Sequence, residues 1–418
     1  MPASNSRPAR ADGSLGSRLP KLPAFGALPT GERLERIHRS PNFVDGAFRN
    51  PLPTRMMLPG STSGFVRSSL RSADRARRSP ASPVPVHSLT AGELAEPPSS
   101  GLRLTWMGHA SVLAEIDGAR VLFDPVWGAR CSPFAFAGPK RLHPVPIPLS
   151  ELGDVDVVVI SHDHYDHLDM PTVRALIDSP AVFAVPLGVG AHLEHWKVPA
   201  DRVIELDWDE SAQAAGLTLT ATPARHFCGR GLRNSKYTLW ASWVVAGPEH
   251  RVFHSGDTGY FPGFAKIGAE HGPFDASMVQ IGAYSEFWPD IHMLPEDGVR
   301  THIDLSGGTS HGALLPIHWG TFNLAPHPWE EPAERTVAAA HRAGVDVVVP
   351  KPGVPFEPAN LPALEPWWRP VAVVPEASGG AQGGGRLEAS RAQTAGDRPD
   401  PPGTGEDELG PRSDSVAH

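Results

Sequence analysis

Residues 157–170 read VVVISHDHYDHLDM, and this stretch limits what the chain can become more than any other. Val157, Val158, Val159 and Ile160 form an unbroken β-branched run, the pattern of a strand covered on both faces. Within the eight residues 162–169 three histidines and three aspartates follow. Packing gives no reason for such a cluster, so it must be displayed at the end of a buried strand. That arrangement points to an α/β chain with chemistry on one rim of a sheet, where loops converge without disturbing the core.

Strand and helix patterns alternate on both sides of this motif. In LRLTWMGHASVLAEIDGARVLFDP, Asp117-Gly118 reads as a hairpin turn between strands at 111–116 and 120–123. Further strands are expected in GLTLTATPA, LWASWVVAG, RVFHSGD, ASMVQIGA, LLPIHWG and VDVVVPKPG. Helices are expected in MPTVRALID, capped by Asp169 with Pro171 in the first turn, and in GVGAHLEHW, PEDGVRTHIDL and WEEPAERTVAAAHRAG, the last stopped by Gly344.

The flanks differ from this middle. Residues 1–80 carry 14 Lys and Arg against 5 Asp and Glu, whereas residues 371–418 carry 4 against 8. We expect three regions: a mostly irregular basic Pro/Ser/Arg-rich arm over 1–98, a globular domain over 99–369, and a disordered acidic Gly/Pro-rich tail over 370–418. Within the arm, Arg67, Arg71 and Arg75 stand at helical spacing beside Phe65, Val66 and Leu70. Membrane-surface contact through the arm is therefore open, the alternative being a solvated linker. A formal net charge of -9 argues against a nucleic-acid-binding core. No stretch has the apolar length to span a bilayer or act as a secretory signal, so the expected location is cytoplasmic, with a peripheral membrane position open. Cys131 and Cys228 are too few for a disulfide framework; Cys228 either lines the site or is a small core residue. The preference for Arg over Lys and the Ala/Pro/Gly bias are those of GC-rich bacterial coding.

Once the strands are marked, a metal-capable residue follows one strand end after another. His162, His164, Asp166 and His167 follow the valine strand, His226 follows LTLTATPA, Asp257 follows RVFHSG, and His318 ends LLPI. Imidazole and carboxylate donors without thiolate suit zinc or another first-row divalent ion. Seven donors exceed the need of one tetrahedral ion, so two Zn²⁺ sharing Asp257 are expected. A pair about 3.5–4 Å apart can hold a hydroxide between them and clamp a tetrahedral or phosphoryl transition state.

The sequence SHDHYDHLD resembles the motif of the metallo-β-lactamase-fold hydrolases. The blocks LTWMGHASVL, FDPVW, GPKR, ELDWDES, TPARHFCGR, HSGDTGY, GPFD, IGAY and IHWGTFNLA are similar, in order, to N-acylphosphatidylethanolamine-hydrolysing phospholipase D and its bacterial RomA-like relatives. The likeness runs from about residue 101 to 330; ahead of it only FRNPLP is loosely similar, and ELDWDES carries Asp209 where relatives often have Trp. The resemblance implies an αββα sandwich with metals at one edge between two sheets. It implies His162, His164 and His226 on one zinc, Asp166, His167 and His318 on the other, and Asp257 bridging. By the same resemblance Tyr165 and His292 contact substrate, with Asp166, Asp257 and His292 serving catalysis.

Two residues, His109 in MGHAS and Asp124 in FDPVW, are read as partners that orient metal ligands, or as turn residues. The implied activity is a phosphodiesterase of phospholipase D type acting on N-acylphosphatidylethanolamine-like phospholipids through a metal-bridging hydroxide. A lactonase or amide hydrolase acting on a small substrate is the alternative. The expected partner is a phospholipid or other small ester-type substrate; oligomeric state is open, a dimer included. Phe287, Trp288, Trp319 and Phe322 are apolar candidates near the rim, and Arg225 and Arg230 are candidates to meet a phosphate.

Overall fold

The computed structural model describes residues 22–58, 60, 64, 76–231 and 236–372. Its described helices are α1 (Gly31–Arg39), α2 (Ala91–Ala95), α3 (Met170–Ala175), α4 (Gly190–His195), α5 (Gly263–His271), α6 (Pro295–Leu305), α7 (Glu331–Ala343) and α8 (Trp368–Ala372). The strands begin with a small hairpin of β1 (Phe43–Val44) and β2 (Ala47–Phe48). One large sheet uses β3 (Leu102–Gly108), β4 (Ser111–Ile116), β5 (Ala119–Phe123), β6 (Val157–Val159), β7 (Val182–Pro186), β8 (Val203–Leu206) and, far along the chain, β15 (Pro355–Phe356), in the order β15-β3-β4-β5-β6-β7-β8. The other contains β9 (Ser211–Ala214), β10 (Leu217–Thr222), β11 (Ser242–Ala246), β12 (Arg251–His254), β13 (Ala276–Gln280) and β14 (Ala313–Ile317), in the order β14-β13-β12-β11-β10-β9.

Side-chain alternation explains why the inner strands are apolar throughout. Val112, Ala114, Ile116, Val121, Phe123, Val157 and Val159 face a core shared with Leu219, Trp243, Met278 and Leu315 of the second sheet. Their neighbours Leu113, Leu122 and Val158 point the other way, onto Val173 of α3 and Leu193 of α4. The second sheet repeats the arrangement, with Val244, Phe253, Val279 and Leu314 packed under Phe264 of α5, Val299 of α6 and Ala340 of α7. Each sheet thus has one face on the other sheet and one under helices, which makes the four-layer αββα sandwich that the resemblance implied.

Strand direction decides where the chemistry falls. Strands β5 to β8 are parallel, and β4 and β3 alternate from β5, so β3 runs with β5 and β6. In the other sheet β12, β13 and β14 are parallel, and β10, two antiparallel steps from β12, runs with them. The carboxyl ends of β3, β5 and β6 lead into His109, Asp124 and the 162–169 motif; those of β10, β12 and β14 lead into His226, Asp257 and His318. The rim is therefore built by both sheets, rather than by the single sheet that strand marking alone suggested.

Several expectations are corrected. VDVVVPKPG forms only an isolated bridge between Val347 and Leu314, because Pro350 and Pro352 end any ladder. Strands β7, β8 and β9 and helix α5 were not anticipated. The stretch read as an irregular arm over 1–98 is, across its described part, packed on the domain: Ile37 of α1 and Phe48 of β2 are buried with Leu187, Leu239 and Trp240, while Val84, Leu89 and Leu94 enter the two main cores. Helix α8 crosses the boundary placed at 369/370, with Trp368 buried. The remaining tail from residue 373, and the basic helix read around Arg67, Arg71 and Arg75, lie outside the described residues.

Candidate metal centre

The loop after β6 is held by its own polar residues. Asp169 accepts from Thr172 N–H and caps α3, fixing the exit of the motif. Asp163, fully buried, accepts from Gly229 N–H at 2.7 Å and from the Thr238 hydroxyl at 2.8 Å, and lies 3.3 Å from His192 Nε2. This leaves His162, His164, Asp166 and His167 free to face the rim. The incoming loop with Asp257 approaches closely because Gly256 sits at φ 54 without a side chain; a Cβ there would lie 2.6 Å from Ser161 Cβ.

The donor atoms fall into groups that meet at Asp257. His162 Nε2 lies 2.8 Å from His164 Nδ1, and His226 Nε2 lies 3.3 Å from the same atom, giving a trihistidine group. Asp166, His167 and His318 form a second group together with His109, with His318 Nε2 3.3 Å from Asp166 Oδ2. Asp257 stands between them: it is 3.2 Å from His167 Nε2 and 3.0 Å from His318 Nε2, and 3.9 and 3.8 Å from Nε2 of His162 and His226. All seven expected residues are brought together. The set fits a divalent metal on structural grounds as well, since the buried atoms His167 Nε2 and Asp257 Oδ1 make no hydrogen bond among the described residues.

Electrostatics divide the two groups. Burial pushes His162 and His226 well below the usual imidazole range, so both stand neutral and ready to donate a lone pair. Burial would also depress His167 and His318, but Asp257 beside both, with Asp166, holds them above their ordinary range. Burial opposes charge on Asp257 and Asp166 too, and their imidazole neighbours, His167 foremost, nevertheless keep both carboxylates well below the usual range.

Asp124 and His109 each contact a residue of the second group. Asp124 Oδ2 accepts from His167 Nδ1 at 2.7 Å, and its two oxygens accept from Ser161 N–H and the Ser161 hydroxyl. His109 Nε2 lies 2.9 Å from Asp166 Oδ2 and is itself fixed by Thr321, whose hydroxyl accepts from His109 N–H at 2.6 Å. His109, Asp124 and His318 all adopt left-handed φ, at 56, 39 and 66. Such strain costs about 1–3 kcal/mol per residue and gathers where side chains must be aimed.

A cavity of about 260 Å³ opens over the cluster, with His164, Asp166, His226, Asp257, His292 and His318 at its floor. Its walls are Met56, Met57, Phe227, Trp288, Ile291 and Leu324. His292 belongs to the cluster as well as to the cavity: its ligand atom stands within 4.8 Å of those of His226 and Asp257. Burial lowers its pKa to about 4, so it is neutral near pH 7.

Other expected contacts are not brought here. The Tyr165 hydroxyl donates to the Arg230 carbonyl at 2.6 Å, and its ring lies under the Arg230 guanidinium, away from the cavity lining. Arg230 is itself buried and donates to the carbonyls of Ala24, Asp163 and Leu168; Arg225 donates to Pro53 and Thr54 and pairs with Asp290. Neither cation faces a substrate phosphate, because unpaired backbone carbonyls nearby need these donors more than open solvent does. Trp319 stacks on Trp106 in the core, Phe322 packs edge-on to His109, and Cys228 is a core residue whose thiol burial pushes far up. Of the apolar candidates only Trp288 lines the cavity. Met56 and Met57, from the stretch read as irregular, were missed. So was Asn50, whose side chain bonds both to the N–H and to the carbonyl of His226; its one signal was the loosely similar FRNPLP.

Residues 119–319 match the Beta-lactamase superfamily domain. An uncharacterized protein of Mycobacterium tuberculosis is 52% identical over 333 residues, covering 79% of this chain and 88% of that one. N-acyl-phosphatidylethanolamine-hydrolyzing phospholipase D 1 of Caenorhabditis elegans is 40% identical over 255 residues, covering 58% of this chain and 70% of that one. Among solved structures, the metallo hydrolase Igni18 of Ignicoccus hospitalis aligns with a TM-score of 0.46 at 22% identity, over 61% of this chain and 98% of its own. Among the described residues no helix is long and apolar enough to cross a membrane. This chain is a metal-dependent hydrolase and belongs to the β-lactamase superfamily, in the family of the N-acyl-phosphatidylethanolamine-hydrolysing phospholipases D.

Proposed function

We propose that the chain is a dinuclear zinc phosphodiesterase of phospholipase D type that hydrolyses N-acylphosphatidylethanolamine-like phospholipids. One observation carries this reading: Asp257 lies 3.0–3.9 Å from histidines of both donor groups at the floor of a cavity whose walls are apolar and whose lip, Met56 and Met57, is about half exposed. A diester would place its phosphate over the floor and lay its acyl chains across the methionines, whose flexible thioethers accommodate irregular apolar shapes. The name of the Caenorhabditis elegans relative supports the same substrate class.

The chemistry that two divalent ions supply, when bound, is polarisation of the phosphoryl oxygens and acidification of a water molecule. His162, His164 and His226 would hold one, Asp166, His167 and His318 the other, and Asp257 both. Water attacks phosphorus, the bond from phosphorus to the N-acylethanolamine oxygen breaks, and that oxygen takes up a proton. Phosphatidic acid and N-acylethanolamine result. His292, neutral at pH 7, offers a ring N–H to a substrate oxygen rather than a full positive charge.

A second reading rests on a specific observation: among the described residues, no Lys or Arg lines the cavity. A neutral lactone or amide would need no such partner, and the same donor set would serve its hydrolysis. Product mass spectrometry on N-acylphosphatidylethanolamine with the zinc-loaded protein decides between them. Phosphatidic acid plus N-acylethanolamine, lost in His164→Ala, is expected; turnover of lactones alone would replace the lipid reading with the second.

A further inference from the structure

Among the described residues, the N-terminal strap hydrogen-bonds directly to one candidate ligand residue, His226. Asn50 lies on the strap after β2. Its Nδ2 donates to the His226 carbonyl at 2.7 Å, and its Oδ1 accepts from His226 N–H at 2.9 Å. One side-chain amide therefore satisfies both polar groups of a candidate ligand's own residue, in the manner of a strand partner. The imidazole of His226 is set separately: its Nδ1 donates to the Ile291 carbonyl at 3.0 Å, which leaves Nε2 facing His164.

The strap also holds the residue preceding Ile291. Arg55 donates to Asp290 Oδ2 from its backbone N–H at 2.8 Å and from Nε at 2.9 Å, and to Oδ1 from its second guanidinium nitrogen at 3.1 Å. Arg225, the neighbour of His226, closes the bracket on the same carboxylate at 3.1 Å. Gly259 allows this packing, since a Cβ there would fall 1.9 Å from the Asp290 carbonyl oxygen. Residues 50–55 thus grip His226 by its peptide and, through Asp290 and Ile291, by its ring. His167, by contrast, pairs with Asp124, and Asp166 with His109 and His318, and among the described residues none of these three hydrogen-bonds to residues 50–55.

We infer that Asn50 and Arg55 are positioning residues for one metal subsite, the trihistidine group, so that the N-terminal strap governs that ion's retention and leaves the carboxylate subsite unaffected. The inference rests on the two-ion reading above. Removing such a partner of a metal ligand costs roughly 10–100-fold in metal affinity.

The test is a zinc titration of the metal-stripped full chain against a competing chelator, followed in parallel with cobalt(II) by its visible spectrum. Wild type is expected to take two equivalents. In Asn50→Ala one equivalent is expected to weaken by roughly 10–100-fold while the other stays within about twofold. Asn50→Asp, which keeps the acceptor for His226 N–H and loses the donor, should fall between. In a His318→Ala background, where the trihistidine group alone is complete, Asn50→Ala should loosen the single remaining ion by the same factor and change its cobalt spectrum. Arg55→Ala alters a side chain that is 63% exposed and carries the test if Asn50→Ala does not fold; the same equivalent should weaken. Loosening of both equivalents together, or of neither, overturns the inference while the two-ion reading stands. Fewer than two equivalents in wild type overturns both.

Discussion

Asp124 and His167, both fully buried, are joined by a 2.7 Å hydrogen bond, and the Asp124 Oδ2 that accepts from His167 Nδ1 also accepts from the Ser161 hydroxyl. The bond fixes the tautomer that turns Nε2 toward Asp257. Asp124→Asn removes the charge and offers an amide that can donate where an acceptor is required. The variant is expected to lose roughly 10–100-fold in affinity for one metal equivalent, checked by chelator competition. Affinity equal to wild type would show that His167 is aimed by packing alone.

Asp257 is the residue on which the two groups converge. Asp257→Asn is expected to abolish hydrolysis and to reduce bound metal below two equivalents, measured by elemental analysis after desalting. Full activity in this variant would refute the shared-carboxylate mechanism.

The two subsites should differ in their response to pH. His162, His164 and His226 have depressed pKa values and are neutral imidazoles near pH 7, each with one ring nitrogen free of a proton, so metal binding to the trihistidine group releases none. His167 and His318 are raised by Asp257 and its neighbours, and a metal must displace their protons. Affinity of the carboxylate subsite should therefore climb as pH rises toward those raised values, while the trihistidine subsite changes little above pH 7. Calorimetry in two buffers of different ionisation enthalpy reads the proton release directly; equal release at both equivalents would contradict this division.

The cavity lip predicts substrate length dependence. Met57→Ala removes apolar wall worth about 1–2 kcal/mol to a long acyl chain, or roughly tenfold in kcat/KM, and should matter far less for a short-chain diester. Comparing both substrates on one variant separates lost contact from general damage.

Five tryptophans tie the chain's distant parts together: Trp319 lies within 6.1 Å, ring to ring, of Trp106, Trp329, Trp367 and Trp368. Trp106 also donates from Nε1 to the His109 carbonyl at 2.8 Å. Trp106→Ala is expected to cost about 3–5 kcal/mol, read as a lower denaturant midpoint.

What the sequence discloses follows from how each feature is made. The valine run, the Asp117-Gly118 hairpin and the Asp169 cap are local, and each appears where its residues require it. The seven candidate ligands are legible because strand ends mark them and their residue types suit one chemistry. Tyr165, Arg225 and Arg230 misled because proximity to the motif in sequence says nothing of the direction a side chain takes; their partners are backbone groups tens or hundreds of residues away. Helix α1 offers only Leu34 and Ile37 as apolar residues, too few to set a period. Its anchoring is remote: Ile37 packs on Leu187, Leu239 and Trp240, and Arg33 pairs with Glu194 and Glu205.

That remoteness has a consequence for how the molecule comes into being. Asn50 waits for a partner 176 residues further on, and Arg55 for one 235 residues away. During synthesis the strap leaves the ribosome long before either exists, and pairing so distant in sequence is slow to close. The hydrogen bonds that Asn50 and Arg55 make can therefore all be closed only after the chain has been made past β13.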